Sequence, residues 1–106
     1  MILIQAIIRP EKTMEVTEAL AEVGVHGLTK VPVIGRGQQS GLKVGDISYK
    51  DMPKEMIQTV VEDHQKKEAV EAIMNAARVG DGNRGDGRVF VIPVKESYNI
   101  RSGEKD

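Results

Sequence analysis

A chain of 106 residues with two tyrosines, one phenylalanine and no tryptophan builds one modest domain, its core drawn from Ile, Val, Leu, Met and Ala. The absence of cysteine excludes disulfides, thiolate metal sites and a cysteine nucleophile. A formal net charge of −1 argues against a broadly basic nucleic-acid surface, and no apolar run reaches the length of a membrane span. These features predict a soluble, cytoplasmic protein with no membrane insertion and no nucleic-acid partner. Its thin core gains from burying more surface in an oligomer.

MILIQAII opens the chain without the basic segment of a secretory signal. Residues 2–8 are rich in β-branched side chains and predict a first strand. Pro10 ends it and suits the first turn of a helix, where its missing N–H is not needed. Val16, Leu20 and Val23, joined by Ala19, recur at helical spacing, and Gly24 and Gly27 stop that helix. LTKVPVI, residues 28–34, reads as a second strand, with Pro32 marking an edge or a bulge. GRGQQSGLKVGD, residues 35–46, reads as a polar loop, and MIQTVV, residues 56–61, as a third strand. Asp63 is the expected cap of a second helix whose apolar face is Val70, Ile73, Met74 and Ala77 and which ends at Gly80. VFVIPV, residues 89–94, is the fourth strand, and the tail from Lys95 is polar.

The order β-α-β-β-α-β predicts an α+β, ferredoxin-like fold, a four-stranded antiparallel sheet with both helices on one face. The strands are not cleanly polar on alternate residues, so the second sheet face needs cover, which self-association supplies.

Between the second helix and the fourth strand lies GDGNRGDGR, residues 80–88. The plain reading is a surface turn. The sharper reading is an anion cradle: N–H groups bared by glycine form nests for phosphate oxygens, and Arg84 and Arg88 add charge-assisted bonds. Asp86 either holds the loop in shape or accepts from a sugar or base. The stretch is not a P-loop, because no Gly-Lys-Ser/Thr follows. Counted as an EF-hand from Asp81, it has Asp86 where glycine is needed and Ile92 where glutamate is needed. It runs helix to strand, opposite to the dinucleotide fingerprint. His26 and His64 lie in different elements at no metal-ligand spacing, and no Ser-His-Asp arrangement is supported. The sequence therefore predicts a binding protein and not an enzyme.

AIIRPEK at 6–12, ALAEVGVHGLTK at 19–30, VIGRGQQSGL at 33–42, MPKEMIQTVVED at 52–63, GDGRVFVIPV at 85–94 and IRSGE at 100–104 resemble, in order and spacing, the PII signal-transduction proteins. The resemblance covers nearly the whole chain. GLKVGDISYKDMPK, residues 41–54, resembles one branch, the nitrogenase-regulating PII-like proteins found with nitrogenase genes, in particular the first of two paralogues.

This resemblance implies a single PII-like domain over residues 1–106, assembled as a homotrimer whose sheets line its centre. ATP or ADP binds in the clefts between subunits, and 2-oxoglutarate binds beside ATP through Mg2+. It implies a ligand-responsive T-loop at about 37–53, a phosphate-cradling loop at about 79–88 and a C-terminal segment at 95–106. Gly85, Asp86, Gly87 and Arg88 fall on the phosphate loop, and Arg101 on a phosphate-contacting arginine of the tail. Gly27, Leu28 and Thr29 match positions at the adenine, and Ile7, Gly35, Gly37, Gln38 and Val60 match other positions of the nucleotide cleft. Gln39 matches the side chain that helps hold magnesium; with Ser40, Gly41 and Lys54 it matches the 2-oxoglutarate site, where Lys54 pairs with a carboxylate.

The chain departs from the family pattern at Gln38 and Asn99, which stand where the family carries cations. Its glycine loop is also longer than usual, and Arg84 lies in the added part. Its T-loop is shorter, and Tyr49 does not match the tyrosine modified by uridylylation. The implied function is a nitrogen-regulatory sensor that controls nitrogenase by direct binding and ligand-driven release, with a second PII-like paralogue as a further partner. The alternative is a trimer that regulates another target, such as an ammonium transporter or a nitrogen-assimilation enzyme.

Overall fold

Ile4, Ala6 and Ile8 alternate with Leu3, Gln5 and Ile7 along the first strand, and this period of two sorts the sheet into a covered and an open face. The computed structural model describes residues 1–40 and 47–106. It runs β1 (Ile2–Ile8), a 3-10 turn (Pro10–Lys12), α1 (Thr13–Glu22), β2 (Thr29–Ser40), β3 (Ile47–Val61), a second 3-10 turn (Asp63–Gln65), α2 (Lys66–Ala77) and β4 (Gly87–Pro93). The sheet order is β2-β3-β1-β4, with every neighbouring pair antiparallel. This is the expected ferredoxin-like arrangement.

The core lies between the covered face and the helices. Ile4, Ala6 and Ile8 of β1 and Ile57 and Val61 of β3 meet Val16 and Leu20 of α1 and Ala69, Ile73 and Ala77 of α2. Full burial of each large aliphatic side chain contributes roughly 1.5–3 kcal/mol. Gly24, at φ +85, ends α1 in the left-handed conformation. There the Gly24 N–H donates to the Ala21 carbonyl and the Val25 N–H to the Leu20 carbonyl, a Schellman closure sealed by the buried Val25 and Leu20.

Three local expectations differ from the structure. Residues 35–40 of the segment expected as a polar loop continue the hairpin, while 41–46 lie outside the described residues: β2 and β3 stay paired from Thr29↔Gln58 to Ser40↔Ile47. Arg36 and Asp51 face each other across this ribbon at 2.6 Å. Polar composition suits it because the ribbon extends beyond the helices and has no core face. The cap of the second helical segment is Glu62, whose N–H donates to Gln65 Oε1 at 2.9 Å. Asp63 instead pairs with the Met1 ammonium at 3.2 Å. In α2 the inward face includes Ala69, whereas Met74 is 41% exposed, and the helix ends at Ala77, before Gly80. Pro32 sits on β2, an edge strand, where a missing N–H is tolerated.

The open face carries Leu3, Ile7, Val31, Met56, Val60, Phe90 and Ile92 in cross-strand register. Val60, Phe90 and Ile92 remain 50%, 44% and 39% exposed. The tail folds into its own small hairpin, with Tyr98 bridged to Lys105 and Ile100 fully exposed at its turn. Among the described residues no helix is long and apolar enough to cross a membrane.

Candidate functional site

Leaving α2, the chain turns through residues 78–86 and enters β4 at Gly87, beside Ile8 of β1. Gly87 has φ +113, and a Cβ there would run into the Ile7 carbonyl oxygen. Only glycine lets the loop join the sheet this closely. Asp86 organises the loop behind it. Its Oδ2 accepts the Asn83 N–H at 2.7 Å, and its Oδ1 accepts the Val79 N–H at 3.3 Å and Arg9 Nε at 3.2 Å. The Asn83 N–H, then the Arg9 and Val79 bonds, hold this carboxyl below the ordinary aspartate range against the opposing effect of its partial burial. Of the two sequence readings of Asp86, its bonds fit the shaping of the loop.

Two cations from the sheet grip the same loop. Arg9 Nη2 donates to the Arg84 carbonyl at 2.9 Å, and Lys54 Nζ donates to the Gly85 carbonyl at 2.7 Å. Gly35, on β2 opposite Met52, lies against the Lys54 stem: a Cβ on it would sit 3.3 Å from Lys54 Cγ. Ile7, Gly35, Lys54 and Gly85 to Arg88 therefore converge at one end of the sheet. Arg84 and Arg88 are exposed there, and their side chains have no hydrogen-bond or ion-pair partner among the described residues. A cleft of about 290 Å³ lies alongside, between α2 and β4, with Met74, Arg78, Asp86 and Arg88 in its lining.

Gly27, Leu28, Thr29 and Val60 form a second group. With Leu3 and Gln58 they line a cleft of about 240 Å³. The buried Thr59 hydroxyl fixes this wall by donating to the Gly27 carbonyl at 2.6 Å. The two groups do not meet within one protomer. Thr29 lies on the β2 edge and Arg88 on the β4 edge, three strand spacings or about 14 Å apart.

The other candidate residues are dispersed. Gly37 pairs with Lys50 out on the ribbon, and Gln38, Gln39 and Ser40 follow it opposite Tyr49, Ser48 and Ile47. Gly41 lies outside the described residues. Arg101 sits exposed in the tail hairpin, whose turn is closed by the Gly103 N–H to the Asn99 carbonyl at 2.8 Å. Asn99, standing where a family cation is expected, also accepts the Ser102 N–H on its side chain at 3.2 Å and so shapes that turn.

Arg9, Leu3 and Gln58 were not legible as site residues. Arg9 reads as the end of a strand before Pro10, and nothing local links it to an aspartate 77 residues away. Leu3 and Gln58 read as strand positions, and only the pairing of β1 with β3 brings them to the Val60 cleft.

The donor set fits an anionic ligand such as a nucleotide polyphosphate: a close-approach glycine, carbonyls turned onto cations, and exposed guanidinium groups. A family model described as "Nitrogen regulatory protein P-II" matches residues 1–104. The chain is 48% identical over 102 residues to "Nitrogen fixation nifHD1 region GlnB-like protein 1" of Methanosarcina barkeri, covering 96% of this chain and 95% of that protein. It is 46% identical over 100 residues to a "Nitrogen fixation nifHD region glnB-like protein 1" of Methanococcus maripaludis, covering 94% and 93%. It is 43% identical over 106 residues to the "Nitrogen regulatory protein P-II" of Azospirillum brasilense, covering 96% and 93%. With a family model matched over residues 1–104, relatives near half identical along almost their whole length and a ferredoxin-like order of elements, the chain belongs to the nitrogen regulatory protein P-II family.

Proposed function

We propose that the protein is a cytoplasmic nitrogen sensor that reads ATP or ADP together with 2-oxoglutarate and controls a nitrogenase component by binding and release. The observation that carries this reading is the junction at which Lys54 reaches the Gly85 carbonyl. The lysine matched to a carboxylate ligand there touches the loop matched to a phosphate. The nif-region names of the relatives support the choice of target.

Thr29 lies on the β2 edge and Arg88 on the β4 edge, which supports a nucleotide site completed between copies, the glycine loop of one facing residues 27–29 and 60 of another. A homotrimer satisfies this and covers the apolar open face. Arg88, with Arg84 and Arg101, neutralises phosphate charge, while Gly27, Leu28, Thr29 and Val60 take the base. Among the described residues no group of three acidic or histidine side chains gathers. Magnesium would then take its oxygen ligands mainly from phosphate and oxo acid, helped by Gln39. The second ligand engages Gln39, Ser40, Gly41 and Lys54. Its carboxylate draws Lys54 Nζ from the Gly85 carbonyl, which links the two ligands. The protein acts through binding equilibria, without turnover. Release of the target requires the ligands to bind the free form more tightly than the docked form.

Titration calorimetry with MgATP, with and without 2-oxoglutarate, tests the sensor. Each ligand is expected to tighten the other by the same factor; independent binding would refute the coupling. In a nitrogenase assay, saturating MgATP and 2-oxoglutarate should lift the inhibition, and inhibition that persists at saturation refutes release.

A further inference from the structure

We propose that the Arg36–Asp51 ion pair is a latch on the β2–β3 ribbon, holding it extended against a folded-back form that takes the oxo acid. The ligand half of this proposal rests on reading Gln39 and Lys54 as one site.

β3 loses its second neighbour where β1 ends, at Ile8↔Glu55. Outward from there β2 and β3 have only each other as sheet neighbours, and a two-stranded ribbon without a core is marginally stable in water. Its composition weakens it further. Gly35 and Gly37 of β2 have low strand propensity, and Pro53 of β3 has no N–H to give. Between the two glycines stands Arg36, directly opposite Asp51. Its Nε donates to Asp51 Oδ1 at 2.6 Å and its Nη2 to Oδ2 at 3.3 Å. This two-pronged contact ties the strands where their backbone holds least. By the period of two, the pair shares its face of the ribbon with Ile34 and Pro53, whereas Lys54 and Met52 belong to the other face. The latch therefore acts on the strands and does not touch the ligand.

The extended ribbon keeps the proposed ligand positions apart. Lys54 is opposite Val33, and Gln39 lies six residues further along β2, about 20 Å away at the rise of a strand. One small oxo acid cannot bridge that span. Binding to both positions requires the ribbon to leave its ladder and fold back, and the latch opposes this. A ligand that binds only a minor form has its apparent affinity reduced by the fraction of that form. The latch thus sets the threshold of the sensor, and loosening it tightens the ligand.

The test uses Arg36→Gln, Asp51→Asn and the exchanged pair, Arg36→Asp with Asp51→Arg. Amide hydrogen exchange is read without ligand at the protected ribbon amides of residues 34–38 and 49–52, with Ile57 in the sheet as control. Each single change should speed ribbon exchange about threefold and leave Ile57 as in the parent, and the exchanged pair should recover most of the protection. Because the pair is well exposed, about 1 M salt should loosen the parent ribbon as the substitutions do and add little in the single variants. Calorimetry at saturating MgATP should show 2-oxoglutarate bound about threefold more tightly by both single variants and near the parent value by the exchanged pair. Unchanged ribbon exchange in the single variants overturns the latch. So does an exchanged pair as loose as the single variants, which would mean that the two residues act separately. Faster exchange with unchanged or weaker 2-oxoglutarate binding overturns its control of the threshold. A parent that binds no 2-oxoglutarate overturns the sensor instead, and the exchange measurement still decides the hold of the pair on the ribbon.

Discussion

Asp86 shows how one carboxylate fixes a loop that sequence reads as loose. Its pKa lies below the ordinary aspartate value, chiefly through the Asn83 N–H. A depressed folded pKa contributes stability that is fully present above the ordinary value and is lost as pH falls through the depressed one. The loop should therefore keep its neutral-pH form through mildly acidic conditions and loosen only in strong acid. The Asn83 amide signal in an NMR pH titration reports this directly, and Asp86→Asn should abolish the acid step. The basic side chains separate by role. Lys54→Ala should weaken 2-oxoglutarate far more than ATP, whereas Arg101→Ala should weaken ATP first. Calorimetry on both variants measures the order, and the reverse order would exchange the two site assignments.

At the scale of elements, packing sets the ranking. Ile73 is fully buried on α2 against both β1 and α1 partners in the core. Ile73→Ala should cost about 2–5 kcal/mol in urea unfolding, and a loss well under 1 kcal/mol would mean that the core closes around the gap. The legible elements are those with clear composition and clear stops. β1 is a β-branched run ended by Pro10, and α1 combines apolar spacing with a glycine stop, so a strand over 2–8 and a helix stopped at Gly24 follow from sequence. The ribbon was not legible beyond residue 34, since its partner strand, not a core, decides its conformation, and Gly35, Gly37, Gln38 and Gln39 read as loop. The capping error has a similar origin. Glu62, Asp63 and Gln65 all suit a helix start, and the path of the chain out of β3 selects Glu62. The glycine loop was legible as a turn between α2 and β4, but its internal braces were not, because Arg9, just past β1, and Lys54 of β3 reach it across long stretches of sequence.

For the whole molecule, the open sheet face is the dominant fact. Phe90 and Ile92 of β4 and Val60 of β3 share a surface that self-association would bury. Phe90→Glu places a charge in that surface and should convert the proposed trimer to monomers that keep their helical circular dichroism, because Phe90 is absent from the core. Sedimentation measures the change; a trimer that survives the substitution would put the interface elsewhere. The placement of Thr29 and Arg88 on opposite edges has a consequence for mixtures. A protomer spoiled at Arg88 still offers a sound residue 27–29 wall, and one spoiled at that wall still offers a sound loop. Two variants that are each blind to nucleotide should therefore restore one another when refolded together. In a head-to-tail ring, every mixed trimer regains a single working site, whichever variant is in the majority. Dilution of one defective allele by another would rescue sensing instead of deepening its loss.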